Sequence, residues 1–227
     1  MAHETEKEAA ARASLRYVRD GDIVGLGTGS TAAFMVRLLA ERVREGLKIR
    51  GIPTAIHTRD LALSLGIPLT TLDEFQEIDV AIDGADEIDP RLRLIKGGGG
   101  ALLREKIVES AARKLVIIAD SSKPVAVLGK FPVPVEVISF AQALVAKRIA
   151  ALGATVRMRT DGVSENPYIT DEGHQILDCC FGQIPSPAEL ALKLKAIPGV
   201  VEHGLFVGMA SVALIGTRDG VREIVAG

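Results

Sequence analysis

The sequence predicts an α/β fold: an open, mostly parallel, Rossmann-like sheet with a smaller ferredoxin-like α+β domain inserted near the C-terminus. Three observations carry this. The runs IDVAID (78–83) and KLVIIAD (114–120) are strongly apolar with little alternation, the pattern of strands covered on both faces. Such strands alternate with amphipathic helical segments, which implies a parallel sheet with helices on both sides. Beyond Lys123 the order becomes strand, helix, strand, hairpin, helix, strand, which matches a split βαβ plan.

In chain order, an Ala-rich segment from residue 4 to about 20 reads as a helix stopped by Gly21. Asp22-Ile-Val-Gly-Leu-Gly is a short buried strand that breaks at Thr28-Gly29-Ser30-Thr31. AAFMVRLLAERVREG then forms an amphipathic helix ending near Gly46. A strand around 48–55, a helix around 59–65 and a strand around 68–72 lead to IDVAID. LRLI (92–95) is a short strand, KGGGG (96–100) a loop, and ALLREKIVESAAR a helix before KLVIIAD. Pro124, Gly129, Pro132 and Pro134 mark a crossing between domains. After it come a strand from about 133, the helix SFAQALVAKRIAALG and the strand ATVRMRT. The hairpin YITDEGHQILDCCF, with Asp171-Glu172-Gly173 as its turn, and the helix SPAELALKLKAIPG follow. SVALIGT and VREIVA return to the first sheet. The expected division is 1–128 plus 205–227 for the Rossmann-like domain, and 129–204 for the small α+β domain.

Composition removes several function classes. The 227 residues hold 27 Lys plus Arg against 29 Asp plus Glu, without the basic excess that marks a nucleic-acid binder. Aromatics make up 4% with no Trp, so stacking platforms for single strands are absent. No apolar run approaches a membrane span and no signal peptide opens the chain, which makes a cytoplasmic location the expectation. Cys179 and Cys180 are adjacent, with no spacing for zinc or a disulfide framework, and read as reduced, partly buried core residues.

Ligands of open parallel sheets bind beyond the carboxyl ends of the strands. The segments that follow the strands here are GTGST, DGADE, KGGGG and DSSK. Four polar, Gly-rich strand ends on one sheet edge would form one site. Thr28-Gly29-Ser30-Thr31 opens a helix, where unpaired N–H groups and the helix dipole favour an anion. The alternative there is an ordinary Ser/Thr helix cap. The third glycine of a dinucleotide fingerprint is missing, and His57, Thr58 and Arg59 stand where a ribose-binding carboxylate belongs. A sugar phosphate or mononucleotide is therefore favoured over NAD.

Asp83, Asp86, Glu87 and Asp89 form an acidic cluster whose spacing does not fit a calcium loop. A solvated acidic turn suits Glu87 and Asp89. Asp83 ends a buried strand, where desolvation can tune a carboxylate for proton transfer. Lys96 precedes four glycines, each costing up to roughly 1 kcal/mol of chain entropy relative to Ala. Backbone that must approach a ligand closely and offer N–H groups to an anion needs them. Lys96 adds a positive charge suited to a developing oxyanion. Glu105 lies at the border of its helix's apolar face, beside Ala101, Val108 and Ala112, while Arg104 falls within that face. Lys123 follows a strand end, where a lysine that holds a phosphate or hydroxyl and an ordinary surface lysine are both expected. His57, His174 and His203 have no partner constellation.

Taken in order, GLGTGST, DGADEID, KGGGGALLREK and DSSK resemble the type A ribose-5-phosphate isomerases across the chain. The resemblance implies metal-independent interconversion of ribose 5-phosphate and ribulose 5-phosphate through an enediol(ate), without a cofactor. It makes Glu105 the base that carries a proton between C1 and C2. Asp83 would open the ring and move protons among the oxygens, with Gly84, Ala85 and Asp86 lining the pocket. Lys96 and the N–H groups of Gly97, Gly98 and Gly99 would stabilise the enediolate. Thr28, Gly29, Ser30 and Thr31 would hold substrate, with Ser30 and Thr31 on the phosphate, helped by Lys123 and Lys7. The implied partner is a small sugar phosphate, and the implied assembly a homodimer or homotetramer, with no nucleic acid or membrane. The rivals are a non-catalytic phosphosugar-sensing domain and a magnesium-dependent phosphotransfer enzyme.

Overall fold

The computed structural model describes residues 2–225. In chain order it contains α1 (Ala2–Ser14), β1 (Ile23–Leu26), α2 (Ser30–Arg44), β2 (Arg50–Pro53), α3 (Ile56–Ser64), β3 (Val80–Asp83), β4 (Glu87–Ile88) and β5 (Leu94–Ile95). There follow α4 (Leu102–Ser110), β6 (Leu115–Asp120), β7 (Val133–Val137), α5 (Gln142–Ala150), β8 (Thr155–Met158) and β9 (Gln175–Cys180). The chain ends with α6 (Pro187–Lys195), β10 (Val200–His203), β11 (Leu205–Phe206), β12 (Val212–Thr217) and β13 (Gly220–Val225). Two compact units emerge. The first comprises residues up to 85, 104–124 and from 208 onward; the second, 86–103 and 125–207.

The first unit is built on a six-stranded sheet of order β13-β12-β6-β3-β1-β2. Every pairing is parallel except that of β12 with β13. Val24, Leu26, Val80, Ile82, Val116, Ile118, Val212 and Leu214 pack on one side against Ala10, Ala11, Leu15, Met35 and Leu39 of the N-terminal segment and α2. Each large apolar side chain removed from water contributes roughly 1.5–3 kcal/mol. Ile23, Ile52 and Ile78 pack with Val108 of α4. Small residues let α4 approach on this side: a Cβ on Gly25 would lie 2.8 Å from the Ala81 Cβ and 3.0 Å from Val108. Ala226, last residue of the expected VREIVA strand, lies outside the described residues.

The second unit joins β7, α5, β8, β9, α6 and β10 in the βαββαβ order, with the antiparallel sheet order β10-β7-β9-β8. Val133, Val135, Val137, Leu177 and Cys179 face Val145, Ile149 and Leu194 in its core. The expected hairpin turn is present: Gly173 has φ +79° and Thr170 N–H bonds the His174 carbonyl at 2.9 Å.

Several expectations need correction. The strand around 68–72 is reduced to an isolated bridge between Leu69 and Gly51. The backbone leaves the sheet after Thr70, whose hydroxyl bonds Glu74. LRLI contributes only β5, which belongs not to the main sheet but to a three-stranded antiparallel sheet, β11-β5-β4. Ile95 pairs there with both Glu87 and Leu205. The unit boundaries consequently differ from the expected division: 86–103 and 205–207 pack with the second unit, and 125–128 with them. Val125 N–H bonding the Ile88 carbonyl at 2.9 Å ties these segments together. The two cysteines also differ from each other, since Cys179 is buried and Cys180 exposed.

Burial pushes the Cys179 thiol well above its ordinary value, with the neighbouring Asp178 charge acting in the same direction. A thiol-reactive chromogen at neutral pH should therefore label one cysteine in the native protein and two after denaturation. Rapid labelling of both in the native state would show that the second unit's core is open.

Candidate active site

The parallel strands β1, β2, β3 and β6 end on one rim, which places Gly27, Thr54, Asp83 and Asp120 there. Asp83 is the hinge of this rim. It is 1% exposed, and its Oδ1 accepts N–H groups from Thr28 (2.9 Å) and Gly84 (2.6 Å). Only glycine fits at position 27, because a Cβ would stand 2.3 Å from the Asp83 carboxylate. The GTGST turn is thereby fastened to the end of β3.

The Thr28 hydroxyl, 7% exposed as a residue, is not a helix cap. It lies 2.8 Å from Thr54 Oγ1 and 3.0 Å from Thr58 Oγ1, and these two hydroxyls donate to the carbonyls of Leu26 and Gly27. The N-cap is instead Gly29, at φ +102°, which offers no side chain. Gly29 and Ser30 are exposed. The start of α2 thus has no side-chain cap on its N–H groups, the arrangement an anion requires. Thr54 and Thr58 are site residues that the sequence reading missed. The only signal was a pair of hydroxyls in the PTAIHT segment after β2.

Glu105 sits in the first turn of α4 and is 4% exposed. It lies at the centre of the buried face with Leu102 and Val108, not at its border, and Glu109 beside it is 3% exposed. Arg104 is half-buried.

At the end of β6, Asp120 is 2% exposed and accepts the N–H and hydroxyl of Ser122. Burial pushes its carboxyl up, but Ser122, with the charges of Lys123 and His3, outweighs this and leaves it below the ordinary value. Glu6 of α1 reaches the same loop, accepting the Ser121 hydroxyl at 2.7 Å and its N–H at 3.1 Å, which hold that carboxyl low as well. Lys123, half-buried, stands at this loop. Lys7 is paired with Glu4 of its own helix at 3.0 Å.

Of the remaining candidates, Gly84 and Ala85 close the first segment of the first unit, and Asp86 and residues 96–99 belong to the second. Lys96 is 2% exposed, with its Nζ 5.3 Å from the Phe206 ring centroid. Gly97 has φ +97°, and the Gly98 N–H donates to Asp86 Oδ2 at 2.7 Å. A Cβ on Gly98 would stand 2.5 Å from that carboxylate. Gly98 and Gly99 are exposed; Gly84, Ala85 and Asp86 are half-buried. Contrary to the expected shared sheet edge, KGGGG follows a strand of the small sheet, for the reason given above. Glu87 and Asp89 are not a solvated turn either. They are 3% and 1% exposed, with Glu87 accepting the N–H groups of Gly129 and Phe131, and Asp89 those of Arg91 and Arg93. His174 does have partners: its Nδ1 lies 3.0 Å from buried Glu136, whose carboxyl burial pushes up.

Residues 50–220 match the family description "Ribose 5-phosphate isomerase A (phosphoriboisomerase A)". The chain belongs to this family. It is 53% identical to the ribose-5-phosphate isomerase A of Sinorhizobium fredii over 225 residues, covering 97% of each chain. It is 55% identical to that of a Synechococcus species over 223 residues, covering 96% of each. Among solved structures, a D-ribose-5-phosphate isomerase in complex with phospho-erythronic acid superposes with a TM-score of 0.96 at 40% identity, covering 99% of this chain and 100% of that one. The ribose 5-phosphate isomerase A of Methanocaldococcus jannaschii gives 0.94 at 43%, covering 98% and 99%.

Glu6 and Asp120 bind protons less readily in the folded than in the unfolded chain, so their contribution is present above the ordinary carboxylate values and lost as pH falls through the folded ones. Urea unfolding should show stability declining from about pH 5 to about pH 3. Glu6→Gln should be less stable at pH 7 and decline less over that range. Parallel declines in both proteins would remove Glu6 from the account.

Proposed function

We propose that the chain interconverts D-ribose 5-phosphate and D-ribulose 5-phosphate by proton transfer through an enediolate, as a step of the non-oxidative pentose phosphate pathway. Membership of the ribose 5-phosphate isomerase A family supports the substrate pair and the reaction. The observation that carries the mechanism is the burial of Asp83 and Glu105, at 1% and 4% exposed. A sensor that merely binds a sugar phosphate has no need of two desolvated carboxylates, whereas proton transfer next to a carbonyl does.

In this reading Glu105 takes the C2 proton of the open-chain aldose and returns it to C1. The charge that develops on the carbonyl oxygen is met by the Lys96 ammonium and glycine-loop N–H groups. Gly98 N–H is given to Asp86, which leaves the N–H groups of Gly97 and Gly99 for the oxyanion. Asp83 assists ring opening and moves the proton between O1 and O2, its position fixed by Thr28 and Gly84. Gly84, Ala85 and Asp86 line the substrate site. The phosphate rests on the start of α2, at Gly29, Ser30 and Thr31, with Thr28 shaping the turn and Lys123 and Lys7 adding charge. Binding energy from the phosphate, remote from the reacting carbons, orients the sugar. No cofactor or metal takes part in these steps.

The reading includes a cytoplasmic location and a homodimer or homotetramer. Among the described residues no helix is long and apolar enough to cross a membrane. Self-association is supported by apolar side chains on the second unit, with Phe140 99%, Leu192 74% and Leu144 51% exposed.

The direct test is an isomerase assay on ribose 5-phosphate with EDTA present. Turnover should persist, and a strict metal requirement would revive the phosphotransfer alternative. Glu105→Gln should lower kcat by about 10²–10⁴-fold while the sugar phosphate still binds; retained turnover removes Glu105 from the base role. Lys96→Ala should cost on the order of 2.7–4 kcal/mol in the transition state if it acts as an oxyanion donor. A change confined to KM would make Lys96 a binding residue only.

A further inference from the structure

We infer that Arg159 is a positioning residue, which through the carbonyls of Gly97 and Gly98 aims the Gly99 N–H at the developing oxyanion. The inference rests on the reading that the glycine loop stabilises the enediolate.

Arg159 follows β8 in the second unit, and its side chain is 13% exposed. One edge of the guanidinium is held by Asp178 of β9, with Nε donating to Oδ2 at 3.0 Å and Nη2 to Oδ1. The backbone is held as well, since Arg159 N–H bonds the Ile176 carbonyl and its carbonyl accepts Tyr168 N–H, both at 2.9 Å. With that edge and the backbone fixed, Nη1 donates to two successive loop carbonyls, Gly97 at 2.8 Å and Gly98 at 3.1 Å. The loop's far end meets Tyr168, against which a Cβ on Gly100 would stand 2.4 Å from the hydroxyl.

A trans peptide points its carbonyl and the following N–H in opposite directions, and the described residues contain no cis peptide. A guanidinium drawing the Gly97 carbonyl to one side therefore turns the Gly98 N–H to the other, where Asp86 accepts it. The same cation on the Gly98 carbonyl turns the Gly99 N–H outward. Gly99 is exposed, and its N–H donates to no backbone or side-chain group of the described residues. A charge-assisted bond on the carbonyl also polarises the N–H of the same peptide, strengthening it as a donor. Glycines adopt this path without a Cβ penalty but do not hold it by themselves. Arg159 supplies the rigidity. Lysine cannot replace it, because a point charge lacks the planar fork that engages Asp178 and two carbonyls together.

The test compares Arg159→Ala, Arg159→Lys and Lys96→Ala by kinetics, by binding of phospho-erythronic acid and by the amide NMR shift of Gly99. Arg159→Ala should lower kcat roughly 10²-fold, the cost of a misplaced reacting group, with KM changed by less than about 3-fold. The acid should bind correspondingly more weakly, the Gly99 amide should move, and millimolar guanidinium should restore part of kcat. Arg159→Lys should rescue little. Unchanged kcat, a loss confined to KM, or an unmoved Gly99 amide would overturn the inference. If Lys96→Ala weakens binding of the acid and Arg159→Ala does not, the positioning role alone fails. If neither does, the oxyanion reading of the loop fails with it. Should Arg159→Ala not fold, Asp178→Ala, which keeps the cation but removes both acceptors from its edge, gives the same readouts and is judged by the same outcomes.

Discussion

The carboxylate of Asp83, accepting the N–H groups of Thr28 and Gly84, is the interaction on which the first unit's site depends. It does two things together. It fastens the turn after β1 to the end of β3, and it holds a desolvated carboxylate at a fixed place. Gly27 is the steric condition for both, since any Cβ there would collide with Asp83. The three-threonine cluster below the turn keeps the Thr28 hydroxyl away from α2, so the N–H groups of that helix stay available.

The same design recurs in the second unit with different chemistry. A flexible glycine run is disciplined from its carbonyl side by Arg159 and from its N–H side by Asp86. In both units a charged side chain orients backbone groups, and those are the groups that the proposed mechanism turns to the sugar phosphate. Preorganised backbone dipoles need no rearrangement as charge develops, which is why such donors act strongly in sites sheltered from water.

How much of this the sequence displayed depends on the range of each interaction. LVIIAD is apolar at successive positions, so β6 was legible as a strand covered on both faces, and its buried run bears that out. The glycine runs and the acid ending β3 were legible because they break local rules of composition. Glu105 was harder, since Arg104 and Lys106 beside it mimic a solvated charge run, and its burial follows from the helix face turned inward. The location of β5 was hidden, because two residues carry no period and Ile95 finds its partner at Leu205, 110 positions away (205 − 95). Glu87 looked like a surface acid for the same reason, since the N–H groups that satisfy it come from Gly129 and Phe131. Arg159 carried no sequence signal, as its role exists only once β8 and β9 pair.

If Asp83 shapes the turn that opens α2 into an anion seat, a crystal structure with phospho-erythronic acid bound will show the phosphate on the N–H groups of Ser30 and Thr31. Thr28 and Gly84 will still be bonded to Asp83. A phosphate bound elsewhere, with that helix start left to solvent, would contradict such a seat.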